Sequence, residues 1–283
     1  MLPSQFRQFL RLQRLSMALA GFAFGILVSV FSNWLYEHGG ALVPWMALVA
    51  VVSGLIGLAL FLRQPADVTV EMRAPITLRS PDEAALYARR GFVGFVPLYT
   101  PKHDRLTETL TAEERAKAIE ALDWDRLCLE ESNLQPTIHA IASHASRLEH
   151  CWLLATVNRD PQTPGSLPYA RLLAEYLRQR KGLTCQFHYG PEYSISLEDD
   201  ALVLNMTYDR VRQVFQEAER QGIPRRQMIA DITTGIRSMP FGMVLACLSR
   251  DQDIEFVGTR YDERGQPTGT LFPVLFGFEP VVR

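Results

Sequence analysis

The amino-acid sequence predicts an α/β protein whose mostly parallel, doubly wound sheet follows an N-terminal pair of membrane-spanning helices. Two long runs of uncharged, apolar residues lie within the first 62 positions. From residue 91 onward, short β-rich runs alternate with segments of helical periodicity, which is typical of a parallel sheet covered by helices. A polar turn at residues 231–239 follows one of these short runs and gives the first indication of function.

The uncharged runs are residues 15–36 and 39–62. At a rise of about 1.5 Å per residue, either run is long enough to cross a hydrocarbon core of about 30 Å. A pair of buried helices in a globular protein would carry charged side chains on some face, and a cleaved signal peptide has a shorter apolar region. The sequence therefore predicts a membrane anchor over residues 1–64, with transmembrane helices at about 15–36 and 41–62.

Basic residues predict the orientation of this hairpin. Arg7, Arg11 and Arg14 precede the first run, and Arg63 and Arg73 follow the second. The connection between the runs contains no Lys or Arg, so the positive-inside rule places both termini in the cytoplasm. We therefore expect a multi-pass protein of the cell (inner) membrane. The runs contain no Asp, Glu, Lys or Arg, which argues against a transporter or a proton relay.

The segment 65–90 is predicted to connect the anchor to a cytosolic domain at residues 91–283. Alternating apolar residues in Asp67–Met72 indicate a short strand. Ser80 is placed to cap a short helix over residues 82–89, with Glu83 at the spacing of a capping box. The four cysteines are widely separated and show no metal-binding spacing, as expected for reduced thiols in the cytosol.

Apolar periodicity predicts the elements of the cytosolic domain. The predicted strands are 91–99, 151–157, 183–189, 228–232, 253–261 and 270–278. The predicted helices are 112–122, 136–150, 169–180, 209–221 and 239–249. Helices between successive strands indicate parallel pairing. The last two strands are joined by a turn, which indicates an antiparallel C-terminal edge.

Two loops carry the polar residues of a candidate binding site. Ligands in open parallel sheets bind beyond the carboxyl ends of the strands, where the strand order reverses. The first core strand is followed by the run Tyr99-Thr100-Pro101, and a later strand is followed by Asp231–Met239. In the second loop, hydroxyl groups and a helix start accompany Arg237, a combination suited to a phosphate or another anion. The alternative is a structural turn in which Gly235 relieves backbone strain and Ser238 caps the helix.

Other candidate residues are less distinctive. Asn158 follows the second core strand and is placed to line the same rim, although a solvated turn before Pro161 is the simpler interpretation. No GxSxG, Walker A, GxGxxG or HExxH motif is present. His139 and His150 are spaced to share a helix face, but no third ligand accompanies them, so no metal site is expected. We therefore expect no catalytic residue and no cofactor.

The run Asp231-Ile-Thr-Thr-Gly-Ile-Arg-Ser-Met239 resembles the second signature of CARF domains, the CRISPR-associated Rossmann-fold sensors of cyclic oligoadenylates. The usual form of that signature is Asp-x-Thr-Gly-Gly-Thr-Lys-x-Met, and related SAVED domains carry a similar turn. The positions that match are Asp231, Thr233, Gly235 and Met239. Arg237 stands in place of the lysine, whereas Thr234 and Ile236 depart from the pattern. A membrane anchor joined to such a sensor resembles the transmembrane CARF effectors of type III CRISPR systems.

The resemblance implies a Rossmann-like (CARF-like) fold over residues 91–283 and a cyclic oligoadenylate as ligand. The candidate ligand contacts are Tyr99, Thr100, Pro101, Asn158, Thr233, Thr234, Gly235, Ile236, Arg237, Ser238 and Met239. CARF domains dimerise around the ligand, so the resemblance also implies a homodimer or a higher homo-oligomer. The net charge of −2 argues against binding to duplex nucleic acid.

Three functions are compatible with these expectations. The first is a membrane-bound antiviral effector that binds a cyclic oligoadenylate in the cytosol and alters membrane integrity or potential, with the lipid bilayer and further copies of the chain as partners. The second is a membrane-tethered ring nuclease that cleaves the same ligand, although no general base is evident. The third is a membrane-anchored scaffold with no ligand.

Overall fold

The computed structural model describes residues 29, 33, 36–37, 51–52, 68–100, 110–158, 160, 165–248 and 252–282. The chain divides into two compact units, Met1–Asp67 and Val68–Arg283. The described positions of the first unit are helical, and the predicted transmembrane helices lie almost entirely outside the described residues. Among the residues that are described, no helix is both long and apolar enough to cross a membrane.

The second unit is built around a sheet of mixed strand direction. Its strands, in chain order, are β1 Val68–Met72, β2 Ile76–Thr77, β3 Gly91–Phe95, β4 His150–Asn158, β5 Gln186–His188, β6 Ser194–Leu197, β7 Met228–Asp231, β8 Asp253–Tyr261, β9 Pro267–Phe276 and β10 Phe278–Val282. The main sheet has the order β2-β9-β8-β7-β3-β4-β5, and β6 pairs with the end of β4. β1 and β10 form a separate antiparallel pair.

Helices cover both faces of this sheet. In chain order they are α1 Pro81–Tyr87, α2 Ala112–Glu120, α3 Trp124–Leu127, α4 Gln135–Ser143, α5 Leu167–Lys181, α6 Asp200–Arg220 and α7 Ser238–Leu248. Side chains of α4 and α5 form one buried cluster with Phe92 and Cys151, whereas those of α6 and α7 form another with Val93 and Trp152. Because successive strand residues point to opposite faces, the two clusters lie on opposite faces of the sheet. The predicted α/β fold class is confirmed.

The central strands β3 and β7 are buried at every position. They are short and apolar because a parallel strand covered by helices on both faces has no solvent-facing side. β4 and β5 extend the sheet on one side of β3, and β7 and β8 extend it on the other, all in parallel. Numbered by their order in the chain, these five strands lie in the order 3-2-1-4-5, which is the arrangement of Rossmann-type sheets.

The antiparallel edge that the sequence predicts is present. β9 pairs antiparallel with β8 from Ile254 to Tyr261, and β2 adds to the outer side of β9. The predicted connector contributes β1, β2 and α1 to the second unit, so this part of the chain is folded with the sheet. The guanidinium of Arg73 contacts the carboxylate of Asp253, at the start of β8, at 2.7 Å and ties the connector to that strand.

One predicted helix cap is confirmed in part. The Ser80 hydroxyl accepts a hydrogen bond from the backbone N–H of Glu83 at 3.2 Å and caps α1. The Glu83 carboxylate accepts from the backbone N–H of Arg79 at 2.6 Å, one residue earlier than a capping box requires.

Two helices differ in extent from the prediction. α6 begins earlier than the predicted range 209–221, because the Asp199 carboxylate accepts from the Leu202 N–H at 2.9 Å and caps the helix there. α4 ends earlier than the predicted range 136–150, because the chain turns back and enters β4 at His150.

α6 and α7 approach each other closely at Gly242. A Cβ atom at this position would lie 2.5 Å from the carbonyl oxygen of Leu204 and 2.9 Å from the Cβ atom of Thr207. Glycine is therefore required at this helix crossing by the distance between the two backbones. The crossing holds α7, and with it the loop that precedes α7, against α6.

Gly242→Ala is expected to lower the free energy of unfolding by about 1–3 kcal/mol, because the two helices must separate. In an open helix interior the same change stabilises by about 1 kcal/mol, so the sign of the effect identifies the contact. Denaturant unfolding of the full-length protein measures it. Gln216→Ala, at an exposed position of α6, is the control, with a change within about 0.5 kcal/mol. An increase in stability for Gly242→Ala would contradict this packing.

Candidate functional site

The strand order reverses between β3 and β7. β3 continues on one side into β4 and β5, whereas β7 and the later β8 lie on its other side. The loops that follow β3 and β7 therefore leave the same edge of the sheet next to each other, at the position where open α/β sheets bind ligands. The Thr234 hydroxyl joins the two loops directly by donating to the carbonyl oxygen of Phe95 at 2.9 Å.

The second loop is anchored at its start by a buried carboxylate. The Oδ1 atom of Asp231 accepts from the backbone N–H of Thr233 at 3.1 Å and from the Thr233 hydroxyl. The same hydroxyl oxygen accepts from the backbone N–H of Val257 in β8 at 2.8 Å. Because its single proton is directed at Asp231, the Thr233 hydroxyl donates to the protein rather than to a ligand.

A second buried carboxylate lies beside the first. Glu255 of β8 is in register with Asp231 of β7, and both side chains are buried. The Nε2 atom of His144, which follows α4, lies 3.0 Å from both carboxylate oxygens of Glu255. The backbone N–H of Arg89 donates to the Nδ1 atom of His144 at 3.1 Å, so the proton of the neutral ring is on Nε2 and points at Glu255.

The charge state of Asp231 is set by this environment. Burial, followed by the nearby Glu255 carboxylate, raises the pKa of Asp231 well above its usual range. Its Oδ2 atom is buried and has no hydrogen-bond partner among the described residues. The protonated form of Asp231 is therefore favoured in the folded protein more than in the unfolded chain.

The middle of the second loop faces solvent. Gly235 has a φ of +105°, and a Cβ atom there would lie 3.1 Å from the Phe95 ring, so only glycine fits without strain. Ile236 and Arg237 are exposed. Within the described part of the chain, the Arg237 guanidinium has no hydrogen-bond or ion-pair partner. An unpaired cation thus lies at the edge of the sheet where the strand order reverses.

The end of the second loop is held by the protein. Ser238 is buried, and its hydroxyl donates to the Asp200 carboxylate at the start of α6 at 2.9 Å. Met239 is buried in the cluster between the sheet and α7. Of the predicted contacts in this loop, Gly235, Ile236 and Arg237 are the ones exposed on the surface.

The first loop is fixed by Asn133. Its side-chain oxygen accepts from the Thr100 N–H at 2.7 Å, its backbone N–H donates to the Thr100 carbonyl oxygen at 3.0 Å, and its amide nitrogen donates to the Leu98 carbonyl oxygen. Thr100 is exposed, whereas Tyr99 is only 4% exposed and donates its hydroxyl proton to the Leu127 carbonyl oxygen at 2.6 Å. Pro101 lies outside the described residues.

Asn158 is the last residue of β4 and is half-buried. β4 continues beyond Leu154, which pairs with Phe95, the last residue of β3. Asn158 therefore stands roughly 13 Å further along the strand direction, at about 3.3 Å per residue. It belongs to the rim of the same sheet edge rather than to the contact between the two loops.

Four residues of this region were not among the candidate contacts. Phe95 supplies the carbonyl oxygen and the ring that fix the second loop, and its position at the end of an apolar strand gave a weak signal. Asp231 and Glu255 each interrupt an apolar strand with a charge, which was a readable sign of a buried polar pair. His144 lies within the predicted helix 136–150, but no pattern in the sequence indicated its contact with Glu255.

No protein-family model matches the chain, and no curated protein matches its sequence. The chemical groups that the site offers are the Arg237 guanidinium, the exposed backbone of Gly235 and Ile236, and Thr100 on the neighbouring loop.

Asp231→Asn is expected to remove a pH dependence of stability. Because the pKa of Asp231 is raised in the folded state, the folded protein binds more protons than the unfolded chain above about pH 4. The stability that this carboxyl group contributes is complete below that pH and is lost as the pH rises through the folded-state pKa. Denaturant unfolding at several pH values measures this decline in the wild-type protein.

The asparagine variant retains an oxygen that accepts from Thr233, so it should fold and show a flatter profile. Asp209→Asn, which removes an exposed carboxylate of α6, is the control for the substitution itself. A stability advantage of wild type over Asp231→Asn that does not vary with pH, or that increases as the pH rises, would contradict the assignment.

Proposed function

We propose that this protein is a membrane-bound effector that binds a cyclic oligoadenylate at the loops following β3 and β7 and transmits binding to its membrane anchor. The observation that carries the proposal is Arg237, which is exposed in the loop where the strand order reverses and has no ion-pair partner among the described residues. The run Asp231–Met239, which contains it, resembles the ligand-binding signature of CARF domains. The Rossmann-type order of the parallel strands supports the same interpretation.

The exposed groups suit the chemistry of this ligand. A cyclic oligoadenylate presents phosphates, ribose hydroxyl groups and adenine bases. The guanidinium of Arg237 carries five N–H donors in a planar fork that matches phosphate oxygens. Gly235 permits a close approach to the backbone, and Ile236 offers an apolar surface to a sugar or a base. The start of α7 adds the favourable end of a helix dipole.

The side of α7 next to this loop supports pairing of two copies around the ligand. Phe241 and Leu245 are 66% and 44% exposed, and Ile236 in the loop is 44% exposed. Phe241 and Leu245 are four residues apart and share one face of α7. A group of exposed large apolar side chains beside a ligand loop is typical of an association surface. In a two-fold dimer, the Arg237 side chains of both copies would serve one cyclic ligand.

Signal transmission requires two arrangements of the protein. A ligand shifts an equilibrium only when it binds one arrangement more tightly than the other. In the proposed effector, ligand binding changes how the cytosolic domains associate. This change rearranges the apolar segments 15–36 and 41–62 in the membrane. Within the described residues of the two loops, Arg237 is the charged side chain that reaches the surface. Because an arginine does not act as a general base, we do not propose that these loops cleave the ligand.

Arg237→Ala is expected to weaken the binding of cyclic tetra- or hexa-adenylate at least tenfold, because a charge-assisted contact to phosphate is removed. Isothermal titration calorimetry on the full-length protein in detergent measures the affinity. Arg264→Ala removes an exposed arginine from the turn between β8 and β9 and should leave the affinity unchanged. Equal binding by wild type and Arg237→Ala would refute the assignment of the site.

The effector mechanism is tested separately in liposomes that contain the full-length protein. Addition of the cyclic oligoadenylate should release an entrapped dye or collapse an imposed membrane potential, and Arg237→Ala should require a higher ligand concentration. Binding without any change in the membrane would eliminate the effector mechanism. Linear oligoadenylate products after incubation would show a ring nuclease instead.

A further inference from the structure

A cavity lies at the same edge of the sheet, away from the loop that contains Arg237. Its volume is about 530 Å³, within the range of small-molecule sites. It is bounded by α2, by the amino end of α5 and by the residues that follow β5. Its lining includes Arg115, Ala116, Ile119, Tyr169, Arg171 and Tyr189.

The walls of this cavity are apolar and aromatic. Ile119 and Tyr189 pack against the buried cluster on this face of the sheet, and Tyr169 belongs to that cluster. The ring of Tyr169 is stacked on the ring of Tyr99, with centroids 6.1 Å apart and an angle of 24°. Because Tyr99 belongs to the loop after β3, the aromatic wall is continuous with that loop. Aromatic walls of this kind accept a planar base by stacking.

Two arginines at this cavity have no ion-pair partner among the residues that the structure describes. The Arg115 guanidinium lies over the Tyr99 ring, 5.9 Å from its centroid, and its Nε atom is buried without a hydrogen-bond partner among the described residues. Arg171 is exposed and has no ion pair within the described part of the chain. A buried N–H without an acceptor is unfavourable, and an anionic group in the cavity would satisfy it. Glu120, also exposed, adds one acidic group to the lining.

We infer that this cavity binds one adenine nucleotide, with the base against Tyr169 and Tyr189 and the phosphate at Arg115 and Arg171. A purely apolar ligand would leave both cations unused, and a simple anion would leave the aromatic wall unused. The Glu120 carboxylate is an acceptor suited to an exocyclic amino group, which adenine carries.

The nucleotide has two possible sources. It is either a free nucleotide or one unit of the cyclic oligoadenylate, and the second source rests on the proposed function. β5 lies three strand positions from β7, which precedes the loop that contains Arg237, and this is roughly 14 Å at the usual strand spacing. A ring held at Arg237 would have to direct one base along the sheet edge to reach the cavity.

Calorimetry on the full-length protein in detergent tests this inference with AMP, adenosine and cyclic tetra-adenylate as probes. AMP is expected to bind saturably and at least tenfold more tightly than adenosine. Arg115→Ala should weaken AMP binding at least tenfold. Ala116→Trp places a large side chain in the cavity from an exposed position and should abolish AMP binding. Lys117→Ala, which removes an exposed cation of α2 paired with Glu113, should have no effect.

If AMP does not bind but cyclic tetra-adenylate binding responds to Arg115→Ala and Ala116→Trp, the cavity holds one unit of the ring. If AMP binds and its binding is weakened by the two cavity variants, whereas cyclic tetra-adenylate does not bind, the cavity is a nucleotide site and the proposed function is wrong. A third outcome is that AMP does not bind, and that cyclic tetra-adenylate binding is weakened by Arg237→Ala but not by the two cavity variants. This outcome would overturn the nucleotide site in the cavity and leave the proposed function intact. Absence of binding by both nucleotides overturns that site as well.

Discussion

The parallel pairing of β3 with β7 is the contact on which the arrangement of the rest of the second unit depends. It brings together two strands that β4, β5 and β6 separate in the chain, and it creates the reversal of strand order at the centre of the sheet. The glycines of β3 leave space for side chains of β7. A Cβ atom at Gly91 would overlap the Met228 sulfur, and one at Gly94 would lie 3.3 Å from the Asp231 Cβ atom. The loops that follow the two strands are neighbours for this reason.

Buried hydrogen bonds at the start of the loop after β7 fix the shape of that loop. Asp231 accepts hydrogen bonds from Thr233, and the Thr233 hydroxyl accepts one from the backbone of β8. The Thr234 hydroxyl donates to the carbonyl oxygen at the end of β3. These hydroxyl groups donate to protein acceptors, so they fix the shape of the loop. The exposed guanidinium of Arg237 and the backbone around Gly235 remain for recognition. The Asp231 carboxyl group is buried and its pKa is raised, and its hydrogen bonds with Thr233 fix the start of the loop.

The sequence allowed the prediction of the strands and helices that carry strong periodicity, and of the two loops at the sheet edge. The apolar run 151–157 and the strand 253–261 were assigned nearly residue for residue, because their patterns are long and uninterrupted. The short β6 was missed, because its pairing with β4 is a long-range contact that leaves no local pattern. The sequence also did not predict which loop side chains are buried and which are exposed. Tyr99 was expected to contact ligand, yet it is buried by contacts with distant Leu127 and Tyr169.

We propose that a cyclic oligoadenylate binds where the loops after β3 and β7 meet. Hydrogen exchange of backbone amides in the full-length protein, with and without cyclic tetra-adenylate, tests this claim most directly. We expect slower exchange at residues 232–238 and 98–100 on ligand addition, with no change at the exposed turn 262–266 between β8 and β9. Protection confined to other parts of the sheet edge, or unchanged exchange at residues 232–238 under saturating ligand, would contradict it.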